Sequence, residues 1–278
     1  MTLDRRTFWS LVAAASVLLA AGVGLWVASA APAPLPPTPP GRGPYEHGPS
    51  SAGKCTICHT PHDAARSGGL VAPEKELCFQ CHQDLKADLA TGYRHQVVRE
   101  KPCTTCHDPH KSPYPHLLKA RLDLLCLGCH PGVGEEARRK TVHGPVKQGE
   151  CTACHAPHNS PYRKLLREPF DERFYAPYVT RRFALCFGCH NADLARQRLG
   201  KATGFRDGTK SDHYFHVNDP AKGRSCWVCH EAHGSDQPHL IRRAVQFGRW
   251  QLPIVFTELP DGGACLCGCH KRLEYRRS

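Results

Sequence analysis

The hydrophobic positions of this chain form one long run near the start and only short runs afterwards. The long run covers residues 8–31 and follows two arginines, a pattern that favours a membrane-spanning helix. An Ala-Ser-Ala sequence that ends at Ala30 is also an acceptable signal-peptidase site. Residues 1–30 are therefore predicted to be a membrane anchor or a cleaved signal peptide. We favour the anchor, and both alternatives export the rest of the chain.

The remaining sequence predicts short elements. Residues 31–44 are rich in proline and are predicted to form a semi-rigid linker. Beyond them helical patterns are brief, as in LDLLCLGCH from Leu122 and GEEARRK from Gly134, and many of the 24 glycines and 24 prolines interrupt the chain. The pattern predicts short α-helices and irregular coil, with little or no sheet.

Fourteen of the 17 cysteines lie in seven C-x-x-C-H pentapeptides, the first of which is CTICH from Cys55. C-x-x-C-H is the attachment sequence of c-type haem, in which two thiols form thioethers with the vinyl groups and the next histidine binds the iron. The predicted thioether residues are Cys55, Cys58, Cys78, Cys81, Cys103, Cys106, Cys126, Cys129, Cys151, Cys154, Cys186, Cys189, Cys226 and Cys229.

Zinc and disulfides are the alternative uses of paired cysteines. The 19 residues between Cys58 and Cys78 fit a four-cysteine zinc ribbon, but zinc does not require a histidine after every second cysteine. An odd number of cysteines in closely spaced pairs is a poor disulfide framework. Covalent haem is the interpretation that accounts for the whole motif.

The other three cysteines form an irregular eighth motif, CLCGCH, with Cys265, Cys267 and Cys269 before His270. The inner pair encloses a single residue, which is too short to span two vinyl groups with His270 still under the iron. We therefore predict an eighth haem attached through Cys265 and Cys269, with Cys267 as a spare thiol. The alternatives are a single thioether, or a vestigial site and seven haems in total.

The motifs belong to an internal repeat. His47, His95 and His143 are 48 residues apart, and each lies eight residues before a first cysteine. Each unit continues with C-x-x-C-H-x-P-H and a second C-x-x-C-H, so that it carries two haem motifs. A fourth, looser unit contains CWVCHEAH and CLCGCH. The predicted haem domain, 45–278, has units at about 45–92, 93–140, 141–200 and 211–272.

Histidines at repeated positions supply a full set of axial ligands. Eight six-coordinate haems need 16 ligands, and the only methionine is Met1, so bis-histidine, low-potential haem is predicted. The motif histidines are His59, His82, His107, His130, His155, His190, His230 and His270. The predicted distal ligands are His47, His62, His95, His110, His143, His158, His216 and His233. His116, His213 and His239 are left over, and His216 is preferred to His213 on spacing alone.

Four of the distal histidines follow a motif histidine by three residues, as His62 follows His59. Three residues reach about 10 Å at most, too little to pass around a macrocycle and return to the same iron. His62, His110, His158 and His233 are therefore predicted to ligate a neighbouring haem.

The pattern CTTCHDPHKSPYPHLLKARLDLLCLGCH, with the related CTACHAPHNSPYRKLL, resembles the doubled-CxxCH multihaem cytochromes c over about residues 45–270. The resemblance implies periplasmic or extracellular electron transfer in bacterial respiratory chains. With residues 1–30 retained as an anchor, the expected location is the periplasmic side of the cytoplasmic membrane, and with these residues removed it is the periplasm or the outside of the cell. Ala232 in place of proline, insertions before Cys186 and Cys265, and CLCGCH depart from the pattern.

Charge and size refine this expectation. The formal net charge is +12, but the basic residues are expected to pair with haem propionates, so nucleic acid is not a predicted partner. About 234 residues for eight haems are too few for a conventional apolar core, so helices and coil are predicted to wrap around stacked haems.

The expected function is electron relay by a membrane-tethered octahaem cytochrome, with other redox proteins or the quinol pool as partners and no substrate chemistry of its own. One alternative is a multihaem reductase or oxidase that has an open iron position and acts on a small nitrogen or sulfur species. The other is an anchored cytochrome that oxidises quinol.

Overall fold

The computed structural model describes residues 45–61 and 69–278. The predicted anchor or signal peptide at 1–30, the linker at 31–44 and His62 lie outside these ranges. Within them, no helix has both the length and the apolar character needed to cross a membrane.

The α-helices of the described residues contain only four to six residues each. Pro49, Pro131 and Pro145 occupy first-turn positions, where proline costs no helical hydrogen bond. The helices are α1 (Gly48–Ser51), α2 (Glu74–Phe79), α3 (Gln83–Asp88), α4 (Gln96–Glu100), α5 (Leu122–Leu127), α6 (Pro131–Glu136), α7 (Gly144–Lys147), α8 (Ala184–Phe187), α9 (Asp193–Arg196) and α10 (Asp212–Val217). Short 3-10 helices lie at Cys55–Ile57, Cys103–Thr105, Pro115–Leu117, Cys151–Ala153, Arg163–Leu165, Thr180–Phe183, Cys226–Val228 and Pro238–Leu240.

Two-residue strands join successive repeats. They are β1 (Tyr45–Glu46), β2 (Tyr93–Arg94), β3 (Lys111–Ser112), β4 (Thr141–Val142), β5 (Asn159–Ser160), β6 (Arg206–Asp207), β7 (Lys210–Ser211) and β8 (Gly234–Ser235). β1 pairs with β3, β2 with β5 and β4 with β8, all antiparallel. In each of these ladders the strand that opens one unit meets the strand that follows the first haem motif of the next unit. The fourth ladder, β6 with β7, is a local hairpin just before α10 and does not join two repeats.

The C-terminal region forms a four-stranded antiparallel sheet, so the prediction of little or no sheet is wrong. Its strands are β9 (Ala244–Phe247), β10 (Trp250–Leu259), β11 (Gly262–Cys267) and β12 (His270–Arg276), in the spatial order β12-β11-β10-β9. Leu252 and Ile254 of β10 pack into the interior while Val255 is half exposed, an alternation that is typical of a strand. The prediction failed because the number of residues per haem is an average, whereas the apolar residues are concentrated in this region.

Buried hydrophobic residues are unevenly distributed along the described chain. All ten lie at or after Leu166. Three of them, Val228, Val245 and Ile254, form one cluster, against which Phe174 and neighbouring side chains pack. The earlier described residues bury polar side chains such as Ser112 and Asp123, but no hydrophobic one.

Candidate haem-binding sites

The seven regular motifs share one backbone conformation at their histidines. In each, the histidine N–H donates to the carbonyl of the first cysteine over 2.9–3.1 Å. The first motif of each unit lies on a 3-10 helix, and the second motif of the first three units begins in α2, α5 or α8. Such a helical turn holds the two thiols and the imidazole close together, and the cysteines of the described residues are free thiols.

Every motif histidine faces a second histidine. Two imidazoles bound at about 2 Å on opposite sides of one metal ion, each with its ring centre about 1.2 Å behind the nitrogen, have centroids about 6.4 Å apart. The eight pairs have centroid separations of 5.9–6.3 Å, so their spacing fits a shared iron. The pairs are His47–His82, His59–His110, His95–His130, His107–His158, His143–His190, His155–His233, His213–His230 and His216–His270.

Main-chain carbonyls orient the first motif histidine in the second, third and fourth units. Nδ1 of His107, His155 and His230 lies 2.8–2.9 Å from the carbonyl oxygen of the residue nine positions later. A carbonyl only accepts, so Nδ1 carries the proton and donates, and Nε2 is left free to bind a metal. The accepting residues are His116, Lys164 and His239, each with a φ of 54–58°. Two of the histidines that were left without a role in the sequence therefore shape these turns.

The distal histidines are held in a similar way. Nδ1 of His95 donates to the carbonyl of Pro157 at 3.0 Å, and Nδ1 of His143 donates to that of Ala232 at 3.1 Å. Nδ1 of His233 lies 2.8 Å from a carboxylate oxygen of Glu136. Hydrogen bonds of this kind fix the ring orientation and increase the basicity of the ligating nitrogen.

The inter-repeat ladders place distal histidines side by side. The His47 N–H donates to the His110 carbonyl at 2.9 Å, and these two residues continue the ladder of β1 with β3. His95 and His158, and likewise His143 and His233, are joined at 3.0 Å. Cross-strand neighbours lie on the same face of a ladder. Since His47 faces His82 and His110 faces His59, each ladder holds together the two sites of one unit.

Thiols of consecutive units also meet. Sγ of Cys78 lies within 4.8 Å of Sγ of Cys103, and a Glu74 oxygen lies as close to both. The Glu74 carboxylate accepts hydrogen bonds from the amide and hydroxyl of Thr104 at 3.0 and 2.8 Å, so it joins α2 to the next unit. The other two thiol contacts of this kind are Cys126 with Cys151 and Cys186 with Cys226. The second site of each of the first three units therefore adjoins the first site of the next.

Burial favours the neutral form of several paired histidines. It lowers the pKa of His155, His158 and His230, and it lowers the pKa of His213 to about 3. Neutral imidazole is the form that binds a metal ion, so these rings are already in the ligating state.

The eighth motif has a different backbone. Cys265 and Cys267 lie on β11, Cys269 lies in the turn and His270 begins β12, with a β-bulge between the first two cysteines. Both strand cysteines pack on the cluster around Val228. The His270 ring still faces His216, with an interplanar angle of 57°. The thiols and the imidazole are thus brought together by a hairpin instead of a helical turn.

His213 is the paired residue that the sequence argument set aside. Its ring faces His230 at 6.3 Å, while His216 faces His270 at the same distance, so the structure uses both histidines. The signal in the sequence is the spacing His-x-x-His in DHYFHV, which places both rings on one side of a helix. His62 lies outside the described residues, and the eight pairs form without it.

Comparison with known proteins agrees with this geometry. A family model for the doubled CXXCH motif matches residues 47–87, 95–135, 143–195 and 218–247, more than half of the chain, and the last match ends before Cys265. A search of curated proteins gave no match. The paired imidazoles and free thiols fit covalently bound, six-coordinate haem. The chain belongs to the doubled CXXCH motif family and is a multihaem c-type cytochrome.

Proposed function

We propose that this protein is an octahaem electron carrier whose irons are all bis-histidine ligated. The observation that carries the proposal is that each of the eight motif histidines faces a second histidine at 5.9–6.3 Å. Haem iron supplies one-electron chemistry between its ferric and ferrous states. The protein's part is to fill both axial positions, which favours electron transfer over substrate binding.

The packing of the sites supports relay along the molecule. Ladders such as His47 with His110 hold the two sites of a unit together, and thiol contacts such as Cys78 with Cys103 join one unit to the next. Sites that are neighbours in sequence are thus neighbours in space. An electron that enters at the Cys55 site has a continuous path towards the Cys265 site, in the order of the motifs.

The histidine pairs also give the reason for preferring a carrier to a reductase. A reductase of small nitrogen or sulfur species needs an iron with one free axial position. Among the described residues each motif histidine already has a partner, so no free position is provided. The eighth site is the place where the alternative has some support, because its hairpin backbone differs from the helical turns of the other seven.

Partners and location follow from the sequence and form part of the proposal. Export through residues 1–30, retained as an anchor, would keep the haem domain on the periplasmic side of the cytoplasmic membrane, where redox proteins or quinol exchange electrons with it. Basic residues then serve as propionate partners, and nucleic acid is not a partner. N-terminal sequencing of the native protein tests the anchor, since a mature chain that begins at Ala31 would contradict it.

Haem content and spin state test the central proposal. Intact-mass measurement should show eight haems, and the EPR spectrum of the oxidised protein should be low-spin throughout. A high-spin signal in the native protein that responds to nitrite, hydroxylamine or sulfite would favour the reductase instead.

Two matched variants sharpen this test. His110 and His62 occupy the same position in consecutive repeats. His110→Ala should convert one haem in eight to high-spin, because His59 loses its facing ligand. His62→Ala should leave the spectrum unchanged, because each of the eight motif histidines already faces another histidine among the described residues. High-spin haem in the His62 variant would contradict this set of ligands.

A further inference from the structure

In each of the first three units, the histidine that faces the first haem motif and the one that faces the second motif come from fixed places in the repeat. The second motif histidine faces the histidine that opens its own unit, as His82 faces His47. The first motif histidine faces one supplied by the following unit, so that His59 faces His110 and His155 faces His233. A first site is therefore incomplete until the next unit has folded against it.

The fourth unit breaks the second rule. His230, its first motif histidine, faces His213, which lies 17 residues upstream in the same unit. His213 lies on α10 together with His216, which faces His270. One helix thus supplies partners to both sites of the unit, whereas His47 and His110 come from two different units.

The backbone pairing changes at the same place. In the first three units the strand just before the opening histidine, such as β1, pairs with the following unit. The strand at the start of the fourth unit is β7, which directly precedes α10 and pairs with β6, the strand just before it in the chain. The hydrogen bonds that a following repeat makes elsewhere are made here by this adjacent strand.

From these two observations we propose that α10 is a cap that closes the haem array, with His213 as the axial ligand that replaces the histidine of a following repeat. The proposal rests on the proposed function, because it assumes that the facing histidines bind haem iron. Stacked repeats need a modified terminal unit, since an ordinary repeat leaves one face unsatisfied. In this protein, an ordinary terminal repeat would leave the first haem of its unit without a second axial ligand.

Several contacts hold α10 in the capping position. Ser211 is its N-cap, and its hydroxyl accepts a hydrogen bond from the Tyr214 amide at 3.3 Å. The ring of Phe205 lies 5.1 Å from His213, 5.4 Å from His216 and 5.2 Å from Tyr275 of β12. Phe205 therefore packs both ligand rings against the C-terminal sheet.

The hairpin that carries Phe205 is itself fixed to the last strand. The Gly208 amide donates to the Arg276 carbonyl at 2.6 Å, and the Arg206 guanidinium donates to the carbonyl of Arg277. The β6–β7 hairpin, α10 and β12 are thus held together. Among the described residues, no two-residue ladder of the first three units is attached to a larger sheet in this way. The C-terminal sheet thus has a structural role in holding the two distal ligands.

The test replaces His213 in the full-length, haem-loaded protein. His213→Ala should keep eight haems, because Cys226 and Cys229 are unchanged, and should convert one haem in eight from low-spin to high-spin. Added imidazole should return that haem to low-spin with one imidazole bound per protein. Phe215→Ala, an exposed position on the same helix, is the matched control and should leave the spectrum unchanged.

An entirely low-spin spectrum of His213→Ala would overturn the cap. If that variant loses haem or aggregates, His213→Met decides, because methionine retains a ligand and raises the potential of the haem that it binds. One component in eight should then titrate at higher potential, and eight unshifted haems would again overturn the cap. High-spin haem in the unmodified protein is a separate outcome, which contradicts the proposed function itself.

Discussion

The first two repeats and the last one are stabilised in different ways. In the described residues between 45 and 140 no hydrophobic side chain is buried, and the secondary structure consists of helices of a few residues and two-residue strands. The last unit has Val228, Val245 and Ile254 in a common cluster, and the last two of these lie on strands of the four-stranded sheet. Both regions contain a regular C-x-x-C-H motif on a 3-10 helix, so this motif alone does not account for the difference.

This comparison indicates where the folding free energy comes from. Complete burial of an aliphatic side chain contributes about 1.5–3 kcal/mol, and the last unit has several such side chains. The first two repeats have none among their described residues, so their stability must come from covalent haem, its ligands and the ladders. We therefore expect the final unit to keep its fold without haem, whereas the first two repeats should not.

The largest expected difference between the two regions should appear when haem is omitted. In full-length protein produced without haem attachment, we expect the amides of β10 and β11 to remain protected from hydrogen exchange. Those of 93–140 should exchange at the rates of an unfolded chain, because that region buries no apolar side chain. The haem-loaded protein is the control, and protection of both regions without haem would show that the contrast is wrong.

A second prediction tests the apolar cluster itself. Ile254 is 6% exposed and packs in the cluster, whereas its neighbour Val255 is 50% exposed on the other face of β10. Ile254→Ala should lower the free energy of unfolding of the last unit by about 2–4 kcal/mol. Val255→Ala, which shortens a side chain in the same strand, should change it by about 0.5 kcal/mol or less. Equal losses in denaturant titrations would mean that the cluster is not the core.

The sequence predicted the local chemistry better than the partnerships. The seven pentapeptides and the 48-residue spacing identified the family, because each is a local pattern. Which histidine faces which depends on ladders such as β1 with β3, and a two-residue strand leaves no recognisable pattern in the sequence. Spacing to the haem motif favours His216 over His213, whereas the helical spacing between the two histidines is what brings both rings to the haem sites.

The same contrast explains why the sheet was missed. The alternating residues of β10 do predict a strand, but the number of residues per haem is an average that does not show where the apolar residues lie. The two-residue turn between β9 and β10 was a further signal, since Gly248 has a φ of 56° at its first position, where hairpin turns favour glycine. Averages over a chain are a poor guide when one unit differs from the rest.

A smaller effect is expected at the turns that orient the motif histidines. Lys164 has a φ of 57°, which costs a non-glycine residue about 1–2 kcal/mol, and its carbonyl accepts the hydrogen bond from His155. Lys164→Gly should therefore raise the free energy of unfolding by about 1 kcal/mol and leave the haem spectrum unchanged. The adjacent Arg163→Gly is the control and should lower it, because no positive φ is relieved there. Stabilisation by both variants would argue against backbone strain as the cause.

The smallest expected effect concerns the place where sheet and haem motif overlap. Cys265 and Cys267 both pack on the inner cluster from β11, so the strand presents either thiol to a haem bound by His270. Which of the two forms a thioether then depends on the number of residues between it and Cys269, and the outer pair leaves room for two vinyl groups. Cys267→Ser should leave eight haems by intact mass, whereas Cys265→Ser should lower the fraction in which the eighth haem is fully linked. Loss of that haem in Cys267→Ser, with none in Cys265→Ser, would identify the inner pair as the attachment. Seven haems in the unmodified protein would mean that His216 and His270 face each other without an iron, and that the array ends at the haem held by Cys226 and Cys229.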